Sequence, residues 1–171
     1  MHGPSRIRFE VEKPLGKLAK WLRLLGFDAS YQGDADWRKE KDAEFPRIRL
    51  TRSQKTLRNE TAGAFILIES DHYLKQLRQV INATGIPLSN LHPFSRCLRC
   101  NVPIRTTTKD SVRARVPDYV WHSQNEFTVC PRCGRIYWPG THAERGRQVI
   151  QELFGTDKNL GVKNHDKFEK R

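Results

Sequence analysis

The sequence predicts an α/β protein: an open, mostly parallel sheet flanked by helices, followed by a small ribbon built on four cysteines. Three observations carry this reading. In residues 1–92 the apolar positions switch repeatedly between a period of two and one near 3.6, the pattern of strands alternating with helices. Residues 64–68, AFILI, are an unbroken apolar run, as in a strand covered on both faces. Beyond Pro93, Cys97 and Cys100 form one Cys-x-x-Cys pair and Cys130 and Cys133 a second, using every cysteine of the chain.

Ile7, Phe9 and Val11 alternate with Arg8, Glu10 and Glu12 and predict a first strand, after which Pro14 suits the first turn of a helix. Leu15, Leu18, Ala19, Leu22 and Leu25 line one face of that helix, and Gly26 offers its stop. A short second strand runs over 27–31, and a helix with a thin apolar face is expected over 36–45. Ile48 and Leu50 mark a third strand, a short polar helix covers 54–58, and 64–68 is the fourth strand, expected at the sheet's centre. A helix over 71–84 turns Leu74, Leu77, Val80 and Ile81 inward, and Gly85 and Pro87 close the unit. The expected division is an α/β domain over 1–92, a ribbon with a closing helix over 93–155, and a basic, flexible tail over 156–171.

Two residues between paired thiolates let both sulfurs reach one tetrahedral ion at about 2.3 Å. Cys97, Cys100, Cys130 and Cys133 are therefore expected to hold a structural zinc ion, with 101–129 as the arm between the pairs. A disulfide framework fits poorly, since charged residues rather than an apolar leader follow Met1. His142 lies nearby, but four thiolates already fill a tetrahedron. With 31 basic and 19 acidic side chains the formal charge is +12, which predicts attraction to a polyanion, nucleic acid first. No apolar run approaches bilayer length, so a soluble, cytoplasmic protein without a membrane contact is expected.

In an open parallel sheet, chemistry gathers beyond the carboxyl ends of the strands. Glu12 ends the first strand, Asp34 and Asp36 follow the second, Thr51, Arg52 and Ser53 the third, and Glu69 and Asp71 the fourth. Converging carboxylates there would bind Mg²⁺ or Mn²⁺ and activate water against a phosphodiester. Acids at helix starts are equally accounted for by capping.

The segments FEVEKPLGKLAKWLRLLGFD, RIRLTRS, SDHYLKQL, SRCLRCN and CPRCGRIYWPGTH occur in one order. Over about residues 7–150 the chain resembles the Mut-7 C-terminal RNase domain family, a PIN-like nuclease fold joined to a zinc ribbon. The resemblance implies a ribonuclease-type architecture with acidic metal ligands on the sheet rim. It also exposes two departures: the family pattern has Asp where this chain has Glu12, and its LTRD segment ends here in Ser53. The first displaces a carboxylate by roughly 1.2–1.5 Å; the second removes a unit of negative charge from a site that must attract a cation. Impaired or absent cleavage is the expectation. Asp28 matches the family's GFD, yet lies at the start of its strand, opposite the rim, and reads as structural first.

Candidate rim ligands are thus Glu12, Asp36 and Asp71, with Asp34, Asp28 and Ser53 as weaker members. Arg23 and Arg52, and Arg96, Arg99, Arg132 and Arg135 around the cysteines, are candidate RNA contacts. Tyr137 and Trp138 would either stack on bases or form the seam between ribbon and sheet. Three readings follow: an RNA-binding protein of ribonuclease type with little or no cleavage, a working metal-dependent ribonuclease, or a docking module for a ribonucleoprotein partner.

Overall fold

The computed structural model describes residues 7–35, 46–59 and 63–155. Asp36, the helix expected over 36–45 and the tail over 156–171 lie outside the described residues.

The first strand, β1 (Arg8–Val11), keeps the alternation read from the sequence: Phe9 and Val11 are fully buried, while Arg8 and Glu10 face the other way and are only partly covered. Pro14 falls in a 3-10 turn (Lys13–Leu15) that leads into α1 (Gly16–Leu24), whose Leu18, Ala19 and Leu22 are buried. Gly26, at φ 95°, turns the chain into β2 (Asp28–Tyr31). After β3 (Ile48–Thr51) come α2 (Gln54–Asn59), β4 (Phe65–Leu67) and α3 (Tyr73–Thr84), the last ended by Gly85 in the left-handed conformation. All three strand pairings are parallel, in the order β2-β1-β3-β4.

This order corrects one expectation. The apolar β4 lies at an edge, and the charged, alternating β1 and β3 are central. They tolerate that position because one face of the sheet is laced by polar pairs: Arg49 with Glu10 at 3.4 Å, Arg8 with Asp28 at 3.3 Å, and Gln32 donating to Glu10 at 3.2 Å. Side chains occupy backbone groups on both edges, which leaves less unpaired backbone to recruit another strand. On β4, Gln79 of α3 donates to the Leu67 carbonyl at 2.7 Å and accepts from the Glu69 amide at 3.3 Å. On β2, the Ala29 amide donates to the Asn101 side chain at 3.0 Å, and the Ala29 carbonyl accepts from Arg23 at 2.9 and 2.8 Å.

The second part is an antiparallel ribbon of β5 (Arg105–Thr107), β6 (Phe127–Val129) and β7 (Ile136–Tyr137), with α4 (Lys109–Val112) and α5 (Asp118–Ser123) folded into its arm. It has its own core of Val112, Val116, Val120 and Phe127, against which Trp121, Ile136 and Trp138 pack. The closing helix α6 (Thr141–Phe154) then returns: its Val149 and Ile150 are buried in the same core as Phe9 of β1, Leu18 and Leu22 of α1 and Leu77 of α3. No described helix is long and apolar enough to cross a membrane.

Two glycines with positive φ separate packing from conformation. A Cβ on Gly26 would sit 2.3 Å from the His92 carbonyl oxygen, whereas one on Gly85 would meet nothing within 4 Å. Gly26→Ala should therefore push away the linker whose His92 amide bonds Leu25, lowering stability by more than about 3 kcal/mol in a urea titration. Gly85→Ala should lose only about 1 kcal/mol.

Candidate metal centre and sheet rim

The two cysteine pairs are built as matching knuckles. In the first, the Asn101 amide donates to the Cys97 carbonyl at 2.9 Å and the Cys97 amide to the Val102 carbonyl at 2.9 Å; in the second, Gly134 and Cys130 with Arg135 repeat both bonds at 2.9 Å. Each turn needs a residue of positive φ after its second cysteine, met by Asn101 at 61° and Gly134 at 69°. The Cys100 amide approaches the Cys97 sulfur at 3.3 Å and the Cys133 amide the Cys130 sulfur at 3.5 Å. All four Sγ atoms lie within 4.8 Å of one another. The Cys97 and Cys133 sulfurs are 3.8 Å apart, which is the edge of a tetrahedron with bonds of about 2.3 Å. The cluster fits a zinc ion, and His142 is not part of it.

Tyr137 completes this centre, a role the sequence reading did not assign. Its hydroxyl lies 3.1 Å from the Cys97 sulfur and accepts the Leu98 amide at 3.2 Å. Burial alone raises the Cys97 thiol, but the Tyr137 hydroxyl and the Cys100 and Arg99 amides stabilise the thiolate, and the net value falls to about 7. Cys100 is pushed up to about 12 by burial and by the neighbouring sulfurs of Cys133 and Cys97. Burial and the neighbouring sulfurs raise Cys130 as well, so both thiols resist ionisation until a cation joins the cluster. Tyr137 and Trp138 are not the expected seam with the sheet: the first braces the cysteines and the second packs in the ribbon core.

The true seam is made by groups expected elsewhere. Arg23, expected to contact RNA, is 2% exposed and bonds the Ala29 carbonyl, the Asp34 carboxylate at 2.5 Å, and the Leu98 and Arg99 carbonyls of the first knuckle at 3.0 Å each. Arg96, also expected at the RNA surface, is half-buried and donates to the Gly26 carbonyl at 3.1 Å and to the Asn101 carbonyl. Asp28, the first residue of β2, accepts Arg47 at 2.8 and 3.1 Å and the Asn101 side chain at 2.7 Å. Burial raises its carboxyl, but Arg47 and Asn101 outweigh that and hold it below the ordinary 3.8, so its contribution to stability is lost as acid protonates it below that pH. Arg99, Arg132 and Arg135 are exposed on the ribbon.

The rim lies where β1 and β3 meet, the point at which the strand order reverses. Glu12 and Ser53 come together there. One oxygen of Glu12 accepts the Thr51 hydroxyl at 2.9 Å and the Arg52 amide at 3.0 Å. The Ser53 hydroxyl accepts the Thr56 amide at 3.3 Å and so caps α2. Arg52 reaches across to the carboxylate of Asp71. Asp34 faces Arg23 instead. Among the described residues the four cysteines are the one group of three or more acids, histidines or cysteines placed to share a metal ion.

Fold and site define the class: a parallel α/β sheet with an acid-bearing rim at its switch point, carrying a four-cysteine ribbon on one edge. A family model described as the Mut7-C RNAse domain matches residues 7–150, and the chain belongs to that family, which supports a nuclease-like, RNA-related role. No curated protein and no solved structure gives a match.

Removing the Tyr137 hydroxyl takes a donor from Cys97 without emptying the ribbon. Tyr137→Phe should keep the fold, weaken zinc about tenfold in competition with a chromophoric chelator, and move acid release of the metal to higher pH.

Proposed function

We propose that this chain binds single-stranded RNA on a Mut7-C scaffold whose rim no longer supports metal-dependent cleavage, with a structural zinc ion held by Cys97, Cys100, Cys130 and Cys133. The observation that carries this is Arg52. Its amide engages Glu12 and its guanidinium engages Asp71, so a fixed positive charge already stands beside the acids a divalent ion would need. Ser53 adds a hydroxyl that caps α2 where a third carboxylate would have raised the site's negative charge. RNA affinity then rests on the basic ribbon, with Arg99, Arg132 and Arg135 as its exposed phosphate contacts.

One observation favours the working ribonuclease instead. Asp71 is 90% exposed and Arg52 35%, and an ion pair so wet is weak enough for a divalent cation to displace. Glu12, Asp36 and Asp71 would then hold Mg²⁺ or Mn²⁺.

A cleavage assay with Mn²⁺ and a labelled single-stranded RNA separates these. Wild type should bind without cutting above background, and the three ribbon contacts alone should weaken binding at least roughly twentyfold between 50 and 200 mM salt. Cleavage should appear in the Arg52→Ala/Ser53→Asp double variant. Efficient cutting by wild type that disappears in Asp36→Ala would establish the second reading.

A further inference from the structure

A half-exposed ladder of rings runs from the rim along the junction of α1 and α3. Trp21 of α1 stacks on Tyr73, the first residue of α3, with centroids 5.5 Å apart and planes at 17°. Tyr73 stacks in turn with His72, at 5.1 Å and 22°. Lys17, one turn before Trp21, sets its ammonium 4.2 Å from the Tyr73 centroid. His72 directly follows Asp71, the partner of Arg52 at the rim.

We infer that this ladder is a base-stacking subsite, in which a base of single-stranded RNA continues the near-parallel stack on His72 while Lys17 and Arg52 meet the adjoining phosphates. The inference rests on the RNA-binding reading above and extends it to a second surface, distinct from the ribbon.

Exposure sets these rings apart from the aromatic groups serving the core. Phe9 and Phe27, which meet edge to face at 89°, are both buried. The rim rings are near parallel, and the two outermost groups, His72 and Lys17, are exposed. Joining α1 to α3 accounts for Trp21 against Tyr73. It does not account for His72, whose ring makes no hydrogen bond or ion pair and stacks on Tyr73 alone among the described residues. A nucleobase adds a flat π face to such a stack without demanding a particular sequence, and the cations beside it suit the phosphate that each base brings. Asp71 does not repel that phosphate at full strength, because Arg52 is paired with it.

The test compares a short single-stranded RNA with an oligonucleotide of equal length and charge carrying abasic residues at its centre, both followed by fluorescence anisotropy at low salt. Wild type should prefer the base-bearing strand by roughly tenfold. His72→Ala should erase that preference while leaving the affinity for the abasic strand unchanged, and His72→Tyr should restore it. Lys17→Ala should weaken both strands alike. His72→Ala binding the base-bearing strand as wild type does, or weakening both strands equally, would overturn the subsite while leaving the RNA-binding reading in place. Wild type binding neither strand would overturn both. His72 is exposed, so zinc content and melting temperature of its variants should match wild type, and a fall in either would mark the ring as a structural prop and count against the subsite.

Discussion

The buried guanidinium of Arg23 is the interaction on which the arrangement of the two parts depends. A guanidinium has five N–H donors and cannot shed its charge, so burial is tolerable only if every donor finds an acceptor. Here all five do: two on Ala29, two on the first knuckle at Leu98 and Arg99, and one on Asp34. The sheet edge, the cysteine turn and the carboxylate after β2 are therefore fixed by one side chain. Asn101 works in parallel, taking the Ala29 amide and bonding Asp28 while its backbone forms the knuckle. Metal binding and sheet closure share these groups.

That sharing gives the ribbon a second role. A metal bound to the four sulfurs organises the carbonyls that Arg23 requires, so folding energy supplied at the cysteines is felt at β2. It also explains why the rim can change without loss of the fold. Glu12, Arg52, Ser53 and Asp71 follow the carboxyl ends of β1, β3 and β4, and their side-chain bonds tie those ends to one another rather than to the cysteine knuckle. The acids of the rim are held by hydrogen bonds and one guanidinium, while the exposed basic groups and the ring ladder face outward.

Much of this was legible in the sequence. Phe9 and Val11, the Leu18 and Leu22 face, and the Leu77 to Ile81 face follow from period alone, because burial on one side leaves a periodic trace. The cysteine cluster followed from spacing. The place of β4 did not, since an apolar run reports coverage and not order within a sheet; Gln79 and the helix it belongs to let that strand sit at an edge. Arg23 and Arg96 were misread as surface groups because a basic residue carries no mark of its partners, here carbonyls up to 76 residues away. Tyr137 is likewise invisible until β7 brings it to Cys97. Asn101 did carry a signal: an Asn or Gly after each cysteine pair is what a turn of positive φ requires.

Amide hydrogen exchange at Ala29, measured with zinc bound and after chelation, tests the coupling most directly. The Ala29 amide donates to Asn101, across the boundary between sheet and knuckle. Its protection should fall by at least about a hundredfold when the metal is removed, together with the knuckle amides of Asn101 and Gly134. If the knuckle amides lose protection while Ala29 keeps its own, the sheet edge stands without the metal and the coupling through Arg23 and Asn101 is wrong.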